Sequence, residues 1–314
     1  MRFDRLTQSR HKLPMAYRPA PIEVFDQNLI RQHLGRAHAA GGRNFLVPSL
    51  AEELVDRLNF IKRDFGSALD VGTPTNELAA ALSIALPKAT VTRFSAISDP
   101  QSDDKVRRIV VAKEEINAVK GLHDLVVSAL AFQCVNDLPG LLAQIRRALQ
   151  PDGLLIGCML GGQTLKELRQ AFTAAELDVS GGASPRIAPF ADMRDVGALL
   201  QRAGFALPVT DSDVLTVRYG SPVELMRDLR SMGAANALVH RNKKPLRREI
   251  LMRAIDIYHR DFSDSDGRIR ATFEVIWFSG WVPHESQQKP LKPGSASVRL
   301  ADVLPARNYD STPQ

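Results

Sequence analysis

The chain holds two cysteines in 314 residues, Cys134 and Cys158. Two thiols cannot make a disulfide framework or a four-cysteine zinc site, so both read as small buried side chains. Long apolar runs are lacking too. A bilayer span needs roughly 20 apolar residues. The longest run here, Leu154 to Gly162, is closed by Asp152 and Gln163, and its length suits a buried strand. There is no secretory signal. Met1 to Arg18 carries Arg2, Arg5, Arg10, Lys12 and Arg18, but no apolar stretch follows. This segment resembles a transit peptide only weakly and reads as a basic tail, with Asp4 in support. No P-loop, GxSxG, HExxH or CxxC is present. The histidines are scattered, and His33 and His38 are not spaced to share a helix face. Nothing therefore suggests a metal centre. A dominant charge sign is also absent: 41 basic against 35 acidic residues leave +6, with a pI near 9.5. That suits an anionic partner without diagnosing one.

What is present is ordinary globular material. Hydrophobic residues make up 44% and charged residues 24%, enough for a sizeable core in one large domain or two. Residues 1–22 read as a disordered basic tail, kept extended by Pro14, Pro19 and Pro21. Residues 23–66 read as a helical cap. One amphipathic helix runs from Val24 to Ala40 and stops at Gly41-Gly42; a second starts near Ser49, taken as its N-cap.

From residue 67 the pattern changes. Short apolar runs at Ser67–Val71, Ala89–Ile97, Arg108–Ala112, Asp124–Leu130 and Leu154–Leu160 alternate with helical stretches at Glu77–Leu86 and Leu138–Leu149. That alternation predicts a parallel sheet covered on both faces, with ligands at the carboxyl ends of its strands. Residues 163–303 continue less regularly. Helices are expected at Thr164–Glu176, Asp192–Ala203, Pro222–Met232 and Leu246–Tyr258. Strands are expected at Val214–Tyr219 and Ala271–Phe278, the latter the last added to the sheet. Residues 304–314 read as a tail.

The first strand–turn–helix carries most of the chemical information. Leu69-Asp70-Val71-Gly72 is followed by Thr73-Pro74-Thr75-Asn76. A glycine after the strand lets the backbone turn tightly and approach a ligand, and the next helix offers unpaired N–H groups. Further glycines are missing, so the segment reads equally as a nucleotide-like cofactor site or a plain βα turn. Asp99 is the nearest acid after the second strand, where ribose hydroxyls would be held, or it starts a turn with Pro100. Glu114 could meet an adenine edge or be part of a solvated charge run. Arg241, Lys243, Lys244, Arg247 and Arg248 form the densest basic patch. It reads as a solvated helix entry or as a phosphate or lipid headgroup contact. No aromatics are interleaved as nucleic-acid binding would want.

The run from Asp124 to Gly162 resembles the second half of the cofactor domain in class I S-adenosylmethionine-dependent methyltransferases. VNDLPGLLAQI, GGQTLKELR, GGASPRIAPF, GALLQRAGF, LMRDLRSMGAANAL and Gly280 to Gln287 narrow the likeness. They resemble the mitochondrial complex I assembly factor 5 family and its alphaproteobacterial relatives, over most of residues 23–303. The resemblance implies an α/β fold: a seven-stranded, Rossmann-like methyltransferase sheet, with N-terminal helices and a helical insertion before the last strands. It implies S-adenosylmethionine as cofactor, bound within residues 67–162 by Asp70, Gly72, Asp99, Glu114, Ser128 and Leu130. Gly161, Gly162, Thr164, Arg186, His284 and Glu285 would face the substrate. No catalytic residue is assigned.

The implied function is modification of a protein, an arginine of a NADH dehydrogenase subunit during complex I assembly. The chain would work in a bacterial cytoplasm, with peripheral contact at the inner face of the inner membrane. Departures cluster in the cofactor half: Thr73-Pro74-Thr75-Asn76 replaces the family's glycines, Lys113-Glu114 replaces its Asp-Glu pair, and Cys134 stands where it has tryptophan. That clustering leaves an impaired, chaperone-like relative as one alternative. A biotin-pathway malonyl-carrier-protein methyltransferase is another.

Overall fold

A computed structural model describes residues 23–97, 106–111, 116 and 121–287. The expected tails at 1–22 and 304–314, Asp99 and Glu114 lie outside the described residues. The elements run α1 (Gln27–Ala39), α2 (Leu46–Asn59), β1 (Ser67–Val71), α3 (Glu77–Ala85), β2 (Thr90–Ser95), β3 (Val106–Val110), β4 (His123–Ala129), α4 (Leu138–Ala148), β5 (Leu149–Leu160), α5 (Lys166–Ser180), α6 (Met193–Arg202), β6 (Ala206–Tyr219), α7 (Pro222–Ser231), α8 (Arg248–Phe262) and β7 (Ile269–Trp281).

The strands form one seven-stranded sheet in the order β3-β2-β1-β4-β5-β7-β6. The first five pair in parallel, and β7 lies antiparallel to both neighbours. This is the seven-stranded, Rossmann-like sheet that the resemblance implies. The last strand is last only in the chain: β7 inserts between β5 and β6, leaving β6 as the edge.

Alternation along the strands explains the two-sided covering. Leu125, Val127, Leu154 and Val275 face one way and pack with Leu54, Leu78 and Phe172 from α2, α3 and α5. Leu69, Val126, Leu155 and Ile276 face the other way, against Leu142 and Ile145 of α4 and Leu200 of α6. Local caps set the helix starts. Asp137 accepts from the Gly140 amide at 2.8 Å and Asp192 from Arg194 at 2.8 Å. Ser221 and Glu224 cap each other's turn, the Glu224 carboxylate accepting from Gly220 at 2.9 Å.

The start of α2 differs from expectation. It begins at Leu46, and Ser49 sits inside the helix. Asn44 does the capping work, its Oδ1 accepting from the Leu46 and Val47 amides. The first helix also starts later, at Gln27, because Asp26 caps it and Phe25 is drawn into a bridge with Leu238.

Candidate functional site

The carboxyl ends of β1, β2, β4 and β5 open into one cavity of about 450 Å³. Small-molecule sites range over roughly 300–1,000 Å³. Its inner end is built by Gly72 and Pro74 after β1, Phe94 and Ser95 of β2, and Leu130 and Gln133 after β4. Its outer end is walled by Leu165 and Phe172 around α5, Arg186, and Met226 and Arg230 of α7. Pro74 lines the hollow and does not plug it.

Gly72 takes φ +75°, the left-handed region, and its amide donates to Phe94 O at 2.9 Å. A Cβ there would stand 3.1 Å from the Ala131 Cβ. The bend therefore needs glycine for conformation as well as for space. Beneath it, Asp70 is fully buried, and Arg93, its neighbour across the β1–β2 register, is buried with it. The Arg93 Nε lies 3.6 Å from Asp70 Oδ2, and its Nη2 donates to Thr73 O at 2.9 Å. The Thr73 hydroxyl donates to Asp70 at 2.5 Å and accepts from the Ala129 amide at 3.1 Å. Burial pushes the Asp70 carboxyl up to about 6, although Arg93 and Thr73 both pull it down. Ser128 is buried, and its hydroxyl is spent on Val71 O at 2.8 Å. Leu130 does border the hollow, at φ +52°.

The expected substrate residues divide. Gly161 and Thr164 form a turn fastened to β7. The Gly161 amide donates to Glu274 O, the Gln163 amide to the Glu274 carboxylate at 2.7 Å, and Thr164 both gives and receives bonds with the Glu274 backbone. A Cβ on Gly161 would meet Glu274 Oε2 at 2.6 Å, so this glycine admits the carboxylate. The turn, Gly162 included, thereby sets Leu160 and Leu165 at the cavity wall and does not itself line it. Arg186 does line it, paired with Glu176 and resting 5.1 Å from the Phe172 ring centre. Burial raises the Glu176 carboxyl, but the Ser184 amide and hydroxyl and the Arg186 guanidinium outweigh it and hold the group below its ordinary value.

His284 and Glu285 lie elsewhere. β7 runs antiparallel to β5 and ends opposite Leu154, where β5 enters the sheet. Both residues are exposed at that amino edge, away from the hollow. Their segment is a clasp: Gln287 donates to Asp152 at 2.8 Å, and Arg63 pairs with Asp152 at 2.7 Å and lies 5.6 Å from the Trp281 ring centre.

Three residues that build the site escaped the sequence reading: Arg93, Glu274 and Asn136. Asn136 Oδ1 accepts from the Val24 and Phe25 amides at 2.9 and 2.8 Å, and its Nδ2 donates to Phe25 O at 2.9 Å. With Asp26 N–H donating to Ala237 O, it straps the N-terminal segment along the cavity's outer wall. An arginine in the middle of the expected strand Ala89–Ile97 is the one available signal for Arg93.

A methyltransferase domain family matches residues 45–208. The zebrafish (Danio rerio) mitochondrial arginine-hydroxylase NDUFAF5 is 37% identical over 293 residues, 90% of each chain. The human protein of that name is 36% identical over 296 residues, 91% of this chain and 84% of its own. The chain belongs to the NDUFAF5-like group of class I methyltransferases. A malonyl-[acyl-carrier protein] O-methyltransferase of Laribacter hongkongensis is 32% identical over 298 residues, 90% of this chain and 98% of its own. A crystal structure of a candidate methyltransferase from Bacillus halodurans C-125 superposes with a TM-score of 0.51 at 14% identity. It covers 74% of this chain and 100% of its own, a likeness of fold.

The hollow fits S-adenosylmethionine in shape: a left-handed glycine at the strand end, apolar walls at Phe94 and Ile116, and Gln133 Oε1 buried without a hydrogen-bond partner. In charge it is spare. Among the described lining residues the charged ones are Arg31, Arg186 and Arg230, with no carboxylate.

Proposed function

We propose that the chain binds S-adenosylmethionine in this hollow and modifies an arginine side chain of a protein, a NADH dehydrogenase subunit during assembly of that complex. The observation that carries the reading is the continuity of the cavity from the Gly72 bend to the wall formed by α5, α7 and Arg186. A cofactor at one end and an acceptor side chain at the other would share one water-poor space. The zebrafish and human relatives, both called arginine-hydroxylases, support arginine as the acceptor.

Bound S-adenosylmethionine supplies an activated carbon on a sulfonium. The chain's own residues do the rest. Gly72 lets the backbone pass close to the ligand, Asp70, Thr73 and Arg93 hold the bend, and Gln133 Oε1 offers an acceptor. The strap fixed by Asn136 helps exclude water on the acceptor side. Hydroxylating an arginine carbon adds an oxygen atom and removes two electrons from the substrate, so that outcome requires an oxidant as co-reactant. The test is incubation of the protein with NADH dehydrogenase subunits and S-adenosylmethionine, with and without oxygen and a reductant, followed by peptide mass analysis. An arginine-localised methyl or single-oxygen increment supports the reading; none under any condition overturns it.

The arginine-only charge of the described lining favours a second reading, a methyltransferase-fold chaperone that keeps its partner surface without the cofactor. Capture of NADH dehydrogenase subunits would then survive Gly72→Val. Rescue of a biotin auxotroph would instead point to a carrier-protein carboxylate as the acceptor.

A further inference from the structure

The cofactor bend is held by a charge pair that the chain supplies to itself. Asp70 is the penultimate residue of β1, and Arg93 stands beside it on β2 in the parallel register. Asp70 is 0% exposed, Arg93 0% and Thr73 1%. A charge this deep is costly unless partnered, and a buried arginine is equally costly. Each offsets part of the other's penalty across an Nε–Oδ2 separation of 3.6 Å, and the guanidinium also donates to the Thr73 carbonyl at 2.9 Å. Thr73 passes the restraint on, because its hydroxyl bonds both Asp70 and the Ala129 amide of β4.

We propose that Arg93 is the positioning residue of the cofactor bend, joining β1, β2 and β4 through Asp70 and Thr73 so that the loop keeps its shape with few glycines. Asp70 is thereby committed to the chain's own guanidinium and is not an anion offered to a ligand. A planar fork can touch a carboxylate and a carbonyl together, which an ammonium on a flexible stem does poorly.

The groups around Asp70 are few. β2 presents Arg93 and the loop presents Thr73. From β4, Val127 lies opposite, and Ser128 spends its hydroxyl on Val71. Among the described residues Arg93 is the charged group acting on it.

The primary test needs no ligand. Hydrogen exchange in the full chain is compared for wild type, Arg93→Met and Arg93→Lys. The Gly72 amide, bonded to Phe94 O, and the Ala129 amide, bonded to Thr73, report the bend. The Val126 and Leu155 amides report the intact sheet. Loss of a charge-assisted hydrogen bond should raise exchange at the first two by about tenfold or more in Arg93→Met. The rise should be smaller but present in Arg93→Lys, which serves if the methionine variant does not fold. Unchanged exchange at Gly72 and Ala129 in a folded variant overturns the proposal.

A second arm rests on the S-adenosylmethionine reading. Titration between about pH 5 and about pH 8 should show wild-type affinity falling as Asp70 protonates. Arg93→Met should move that fall to higher pH, because the carboxyl has lost its cation. A merely structural role would weaken binding without moving the inflection, and that result counts against the proposal. If wild type takes up no S-adenosylmethionine, the functional reading fails, while the exchange arm still decides the role of Arg93.

Discussion

Gly72→Ala is the perturbation whose size follows most directly from the structure. Gly72 sits at φ +75°, where a Cβ crowds the following carbonyl and costs about 1–2 kcal/mol. The new Cβ would also stand 3.1 Å from the Ala131 Cβ, closer than comfortable contact. Ala131 is a short side chain with no rotamer to yield, so the strain cannot be relieved at its end. The Gly72 amide bond to Phe94 O can survive the change, which leaves the cost conformational. A loss of about 1–2 kcal/mol is therefore expected, or roughly a tenfold shift in the folded-to-unfolded ratio. Urea unfolding reads this as a lower midpoint with an unchanged slope. Gly182→Ala is the control: a Cβ at Gly182 meets nothing within 4 Å, and no change is expected. A Gly72→Ala protein as stable as the control variant would refute the bend described here.

Glu176→Gln should loosen the Ser184–Arg186 segment and cost about 1–3 kcal/mol near neutral pH, since the carboxylate is 4% exposed and bonded to charged and polar partners. The Glu176 carboxyl lies below its ordinary value, so this stabilisation is present above about pH 4.5 and lost as pH falls through the folded-state value. Wild type and variant should therefore converge in acid; a constant gap from neutral pH down to strong acid would contradict the pairing. Asp152→Ala, at the amino-edge clasp, should cost up to about 1 kcal/mol by freeing Arg63 and Gln287, with ligand affinity unchanged. His284→Ala should likewise leave affinity unchanged, and a substantial loss in either variant would place that edge at the site after all.

The parallel core was readable because its strands are short apolar runs bounded by turns. Leu69, Val126 and Leu155 are buried where the runs predicted. The edge strand was read short. β6 begins at Ala206, but Pro208 and Asp211-Ser212-Asp213 mask it, and residues 211–216 are exposed on both faces, so no alternation marks them. Strand order beyond β5 is a long-range matter that periodicity does not encode.

The site was harder to read than the fold. Gly72 and Leu130 line the hollow as expected, because strand ends at a parallel sheet's carboxyl edge are fixed by topology. Asp70 and Ser128 lie behind the hollow with their side chains bonded inside the chain, and their partners Arg93, Thr73 and the Val71 carbonyl come from the fold and not from local sequence. His284 and Glu285 went to the opposite edge because the antiparallel direction of β7 carries the chain away from the cavity.

Everything proposed for this chain's chemistry requires the hollow at Gly72 to be a cofactor site. Isothermal titration of the purified full chain with S-adenosylmethionine tests this directly. Saturable heat with one site per chain, weakened in Gly72→Val, is the predicted result. No heat at ligand concentrations on the order of millimolar, where even weak binding of about −4 kcal/mol registers, would contradict it.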